Sequence, residues 1–259
     1  MGKTYLIALG VALLTVGCDD KPSKPLAPTA SALAPADKPA GATTLKVESK
    51  GSKVEFLMSA PIEKINGVVE DGAEGEINVD PKDVSKTTAL IKVDLDKLTL
   101  YQQKREDEKG EFSERAKNDQ QNAHARNWLE ISEDAPKDKR EENRWAEFKI
   151  ERVVEPTAKD LTTMKGAERK VTGWATGEFR LHGRKQEKRV KIEASFEFDG
   201  DKLTGVKVKT LEPMNVGLEE FDVKPREAFG KLAQKTLGAL GNKVAQEAPI
   251  ELTLSAKAK

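Results

Sequence analysis

The chain has 259 residues, with 44 acidic and 44 basic side chains, two histidines and one cysteine. The even charge balance lacks the clustered basic excess that nucleic-acid binding calls for. A lone thiol excludes an intrachain disulfide framework and a multi-thiolate zinc cage, two histidines leave little for a metal site, and a charged fraction of 34% argues against an integral membrane protein; no metal and no cofactor is expected.

Lys3 is the only charge before an apolar run over 5–17. About 20 residues are needed to span a bilayer, so this shorter run reads as the core of a secretory signal. Its end, Leu14-Thr15-Val16-Gly17-Cys18, followed by Asp19-Asp20, resembles a bacterial lipobox, in which cleavage falls before the cysteine and the thiol is acylated. Residues 1–17 are thus expected to be a signal peptide and Cys18 the lipid attachment site. The segment to residue 44 holds five of the twelve prolines (Pro22, Pro25, Pro28, Pro35, Pro39) among Ala, Ser, Thr and Lys. With few apolar groups to bury, it is expected to be a disordered, extended tether that adds almost nothing to stability and holds the domain tens of Å from a membrane. The expected location is the bacterial cell envelope, lipid-anchored and facing the periplasm or the cell surface.

Residues 45–259 read mostly as strands. Strict alternation marks a half-buried strand, and it recurs in Ala89-Leu90-Ile91-Lys92-Val93-Asp94-Leu95-Asp96, in 171–181, in 190–198 and in 250–256. Lesser strands are expected over 46–58, 65–69, 75–79, 145–154 and 203–208, with a hairpin turn at Asp199-Gly200-Asp201. Many alternating strands without a βαβ rhythm imply a sandwich or a closed barrel. Gly173, Ala175 and Gly177 share one dry face, which either permits sharp bending or leaves room for a ligand.

Two helices are expected, a charged one over 111–131 and an amphipathic one over 225–240, where Pro225 suits the first turn and Gly241 the stop. The mixed charges of 132–143 read as a solvated loop, and Arg184-Lys185-Gln186-Glu187-Lys188-Arg189 as a solvated hairpin tip. No phosphate-binding glycine loop and no nucleophile elbow occurs, and His124 and His182 read as surface or packing histidines.

The order of these elements resembles the YceI-like family, lipocalin-like barrels that bind polyisoprenoid lipids. The likeness is carried by Ser52-Lys53-Val54-Glu55-Phe56, then Ile65-Asn66-Gly67-Val68-Val69-Glu70, then Gly75-Glu76-Ile77-Asn78-Val79-Asp80-Pro81. It continues through Ser85-Lys86-Thr87, His124-Ala125-Arg126-Asn127 with Trp128-Leu129-Glu130, Trp145-Ala146-Glu147-Phe148-Lys149-Ile150, and Phe179-Arg180-Leu181-His182-Gly183 with Val190-Lys191-Ile192. It covers roughly 44–256. Trp128 and Leu129 stand where the family has paired phenylalanines, and Lys185 and Glu187 replace its usual turn residues.

The resemblance implies a mainly β fold, an antiparallel lipocalin-like barrel of about eight strands with one or two accessory helices. It also implies a membrane-tethered lipoprotein that binds or carries an isoprenoid-type lipid, a quinone or a polyprenol. With the alternation, it places Phe56, Met58, Ile91, Val93, Phe148, Ile150, Ala175, Gly177, Phe179, Leu181, Phe196, Phe198 and Leu252 as an interior lining. An envelope protein that works through the barrel exterior is the alternative, and an enzyme using His124 the least favoured. No catalytic residue is assigned.

Overall fold

Alternation of apolar and polar side chains dictates strands with one dry face, and a sheet of such strands must bury that face. The computed structural model describes residues 25–223 and 247–258. The leader, Cys18 and the 225–240 helix lie outside the described residues. The strands are β1 (Thr43–Ala60), β2 (Glu63–Glu70), β3 (Ala73–Val79), β4 (Thr88–Asp94), β5 (Thr99–Lys104), β6 (Ala116–Lys117), β7 (Trp145–Val154), β8 (Glu168–Leu181), β9 (Arg184–Asp199), β10 (Lys202–Thr210), β11 (Met214–Gly217) and β12 (Glu247–Ala258). Two helices, α1 (Asp119–Trp128) and α2 (Lys137–Asn143), lie between β6 and β7.

An eight-stranded antiparallel barrel runs β1-β3-β4-β7-β8-β9-β10-β12, and β12 closes it on β1. The remaining main strands continue barrel strands past a break. β1 pairs with β3 from Thr43↔Val79 to Lys46↔Glu76, and with β2 from Lys53↔Glu70 to Ala60↔Glu63. β5 follows β4 after a single 3-10 turn over Leu95–Lys97 and pairs with β2. β11 follows β10 and extends the partner set of β12. The breaks in β1, β2/β3 and β4/β5 lie side by side and are tied together. The buried Ser52 hydroxyl accepts from Ala73 N at 3.1 Å and donates to Ser49 O at 2.6 Å, while Asp94 N donates to Gly72 O at 2.9 Å. Above the breaks the wall flares; below them it is tight.

The tight end is solid. Leu45, Ile77, Val79, Phe196, Phe198, Leu203, Val206 and Leu254 are buried there, each contributing about 1.5–3 kcal/mol by its removal from water. Val84 and Leu161, on short 3-10 turns, cap this end, held by Val84 N to Lys159 O and Leu161 N to Pro81 O, both 2.8 Å.

Several expectations need correction. The 18–44 segment is not free along its described part. Ala27 is buried, Thr29 bridges Arg184, and backbone hydrogen bonds of 2.8–2.9 Å join Ala27 to Glu220, Ala30 to Gly183, and Lys185 to Pro28. Backbone groups make these contacts, so a composition poor in apolar side chains does not reveal them. The charged helix is confined to Asp119–Trp128, because Ala116–Lys117 pairs with β5 instead. The 132–143 loop contains α2. The basic run starting at Arg184 is not a hairpin tip but the first part of β9. The tip is His182-Gly183, with φ of 50° and 66°, the double left-handed geometry of a tight hairpin turn.

Candidate ligand-binding cavity

The flared half of the barrel encloses a cavity of about 760 Å³. Each wall comes from alternation at one level of the barrel. β1 supplies Val54, Phe56 and Met58; β2 supplies Ile65 and Val69; β5 supplies Leu98 (just before it) and Leu100; β12 supplies Ala248, Ile250 and Leu252. The opposite wall is Ala146 and Phe148 of β7, Phe179 and Leu181 of β8, and Val190 of β9. Ile91 and Val93 of β4 lie between, and Met214, Val216, Leu218 and Val223 close the β11 side. Phe148 and Phe179 meet edge to face, with ring centroids 6.4 Å apart.

Helix α1 covers the gap beside β5 with Ala125, Trp128 and Leu129. Asn118 caps it, its Oδ1 accepting from Gln121 N at 3.0 Å. Asn122 sews it to β5: Oδ1 accepts from Leu100 N at 2.7 Å and Nδ2 donates to Leu100 O at 3.0 Å. Thr210 and Glu147 also border the cavity, while most of the polar lining, Glu63, Gln102, Lys104 and Gln121, gathers at the open end. There Gln102 Nε2 donates to the Glu63 carboxylate, and Asn118 Nδ2 donates to Gln102 Oε1 at 2.5 Å.

A charge clamp fixes the β4/β5 break beneath α1. Arg144 binds Asp94 through two nitrogens, Nε to Oδ1 at 2.9 Å and Nη2 to Oδ2 at 2.6 Å. Arg126 donates to Asp96 O at 2.8 Å. Burial pushes the Asp94 carboxyl up. Its hydrogen bonds from Arg144 and Asp96 N, with the charges of Arg144 and Lys97, outweigh this and hold it below its ordinary value of 3.8.

Of the predicted interior residues, the structure brings Phe56, Met58, Ile91, Val93, Phe148, Phe179, Leu181 and Leu252 to this cavity. It does not bring the other five. Ile150 and Phe196 border a separate void of about 50 Å³ at the tight end, and Phe198 packs under the Arg169 guanidinium, 3.7 Å from the ring centroid. Ala175 is fully buried in the solid core. Gly177 serves close approach of strands: a Cβ there would lie 1.9 Å from Lys149 O, beside a register shift in β7 between Ile150 and Arg152. The small-residue face therefore permits bending and leaves no room for a ligand. Trp128, Leu100, Val54, Met214 and Val216 line the cavity and are absent from the lining expected from sequence. The alternation Leu98-Leu100-Gln102 is a usable signal, but the break at Leu95–Lys97 shortens it.

Among the described residues, those lining the cavity include no histidine, serine or cysteine, and no group of three His, Cys, Asp or Glu is placed to hold a metal ion. His124 stacks at 6.1 Å from Trp128, and the Nδ1 of His182 is 3.1 Å from Phe221 O. No helix among the described residues is long and apolar enough to cross a membrane.

No family model and no curated protein matches the chain. Among solved structures it is similar to a polyisoprenoid-binding domain from Saccharophagus degradans implicated in plant cell wall breakdown, with 14% identity and a TM-score of 0.49, over 84% of this chain and 99% of that one. At that identity and overlap, nothing about the function of this chain follows from the likeness.

Proposed function

We propose that the protein is a membrane-tethered lipoprotein of the bacterial envelope that binds or carries an isoprenoid-type lipid, a quinone or a polyprenol, inside its barrel. The observation that carries this reading is the cavity of about 760 Å³, walled mainly by aliphatic and aromatic side chains, with Glu63, Gln102, Lys104 and Gln121 together at its open end. Small-molecule sites fall at roughly 300–1,000 Å³ and combine apolar walls with a few polar groups that fix orientation. An apolar chain fits the walls, and a small polar head fits the end with Glu63, Gln102 and Lys104. The lipobox-like Cys18 supports the anchor.

The test is mass spectrometry of an organic extract of the purified full chain, before and after incubation with a quinone and with a polyprenol. Recovery of either lipid at about one per chain is expected. A chain that carries none and takes up none would leave the barrel exterior as the working surface.

A further inference from the structure

We propose that the open end of the cavity faces the membrane, held there by a short leash. This rests on the acylation of Cys18 proposed above.

In the antiparallel barrel, the strands alternate in direction. The β1–β2 hairpin, the end of β5, the β8–β9 turn and the start of β12 therefore share one end. That is the cavity end, since Ile62, Lys104, Leu181 and Ala248 line the cavity. The β9–β10 turn, at Gly200 and Asp201, lies at the other, solid end.

The first described stretch of the N-terminal segment, 27–30, docks on the cavity end; the chain then runs down the wall to the solid end, where Thr88 Oγ1 donates to Asp37 O at 2.8 Å and β1 begins. Thr29 bridges Arg184 beside the β8–β9 turn, Ala30 N donates to Gly183 O at 2.8 Å, and Arg184 Nη1 donates to Ala27 O at 2.9 Å. Leu26, just before this dock, is one of three large apolar side chains left exposed among the described residues. Only eight residues separate Cys18 from Ala27. Fully extended, that stretch reaches about 30 Å. The fourteen residues of β8, at about 3.3 Å each and tilted as barrel strands are, put the two ends of the barrel about 35 Å apart. The leash is thus too short to let the solid end reach the bilayer as freely as the cavity end. A lipid leaving the bilayer would enter the barrel without crossing bulk water.

The test uses the acylated full chain in phosphatidylcholine vesicles that carry an energy-transfer acceptor on a lipid headgroup. With its own thiol acylated, a donor dye is placed on one added cysteine, Lys109→Cys beyond β5 at the cavity end or Asp201→Cys at the solid end; both positions are exposed. Transfer from position 109 is expected to exceed transfer from 201 at least twofold. Inserting twenty Gly/Ser residues after Asp20 is expected to keep flotation with the vesicles and bring the two signals to within a few per cent of each other. A chain that does not float removes the anchor and the orientation with it. A chain that floats with equal transfer from both ends overturns the orientation alone, as does a difference that survives the inserted residues.

Discussion

Glu147 and Arg180 face each other across β7 and β8 at 3.5 Å on the outside of the barrel, yet they are only 2% and 1% exposed. What covers them is the N-terminal segment together with α2. Leu33 N donates to Glu147 Oε2 at 2.9 Å, Arg180 Nε donates to Ala30 O at 3.0 Å, and Arg180 Nη1 donates to Glu142 O at 3.1 Å. A cross-strand ion pair that would otherwise be solvated is roofed by backbone groups that complete its hydrogen bonding.

The roof is expected to stabilise the barrel. A chain beginning at Leu45 loses the hydrogen bonds from Leu33 and to Ala30, each to a charged group worth about 1.5–3 kcal/mol, and recovers part of this from water. Its unfolding free energy should fall by about 2 kcal/mol against a chain beginning at Pro25, which for a domain of this size lowers the melting temperature by about 4–8 °C. Equal melting temperatures would show that the segment rests on the barrel without holding it.

Breaking the pair should cost more than removing it. Arg180→Leu leaves a buried, unpaired carboxylate and is expected to lose about 3–5 kcal/mol. Adding Glu147→Leu should restore at least half of that, because no charge then remains buried. Denaturant unfolding of the two single variants and the double decides this; a double variant as unstable as the sum of the singles would contradict it.

Cavity-filling and core-crowding substitutions are expected to separate. Val93→Trp adds volume where space exists, so stability should stay within about 1 kcal/mol while lipid uptake falls. Gly177→Leu places a side chain against Lys149 O, and Ala175→Trp overpacks a fully buried site. Both should lose at least about 1–3 kcal/mol or fail to fold. Thermal melting and lipid extraction on all three variants check it.

Acid should loosen the β4/β5 clamp. The folded-state pKa of Asp94 is depressed, so its contribution is fully present above its unfolded value of about 3.9 and is lost as pH falls through the lower folded value. Asp94→Asn should be less stable at neutral pH, and its stability should fall less steeply below about pH 4. Parallel curves of unfolding free energy against pH would rule the clamp out as a source of acid sensitivity.

Cys18→Ser should move the chain from the membrane fraction to the soluble fraction, read by fractionation and immunoblotting. Unchanged membrane association would remove the anchor.

Alternation makes the barrel legible but not its interior. Phe179 and Phe196 both obey the inward parity of their strands, yet one lines the cavity and the other packs the solid end. Parity tells which face a side chain takes; height along the barrel depends on register between strands far apart in sequence, such as Val47↔Ala256 of β1 and β12, which no local pattern encodes. β7 is legible with the bounds it has, Trp145–Val154. β5 and β11 escape because each is a short continuation beyond a break, six and four residues long. The dock of 27–33 leaves no trace in the sequence because its bonds run through main-chain atoms, the same in every residue type but proline.

The aligned breaks in β1, β2/β3 and β4/β5 divide the molecule into a foundation and a hollow vessel. Phe196 and Leu254 are buried in the solid core, whereas Val93 and Leu252 face the cavity. The vessel can therefore be re-tailored to a wider or shorter cargo, one side chain at a time, while the foundation keeps the chain folded.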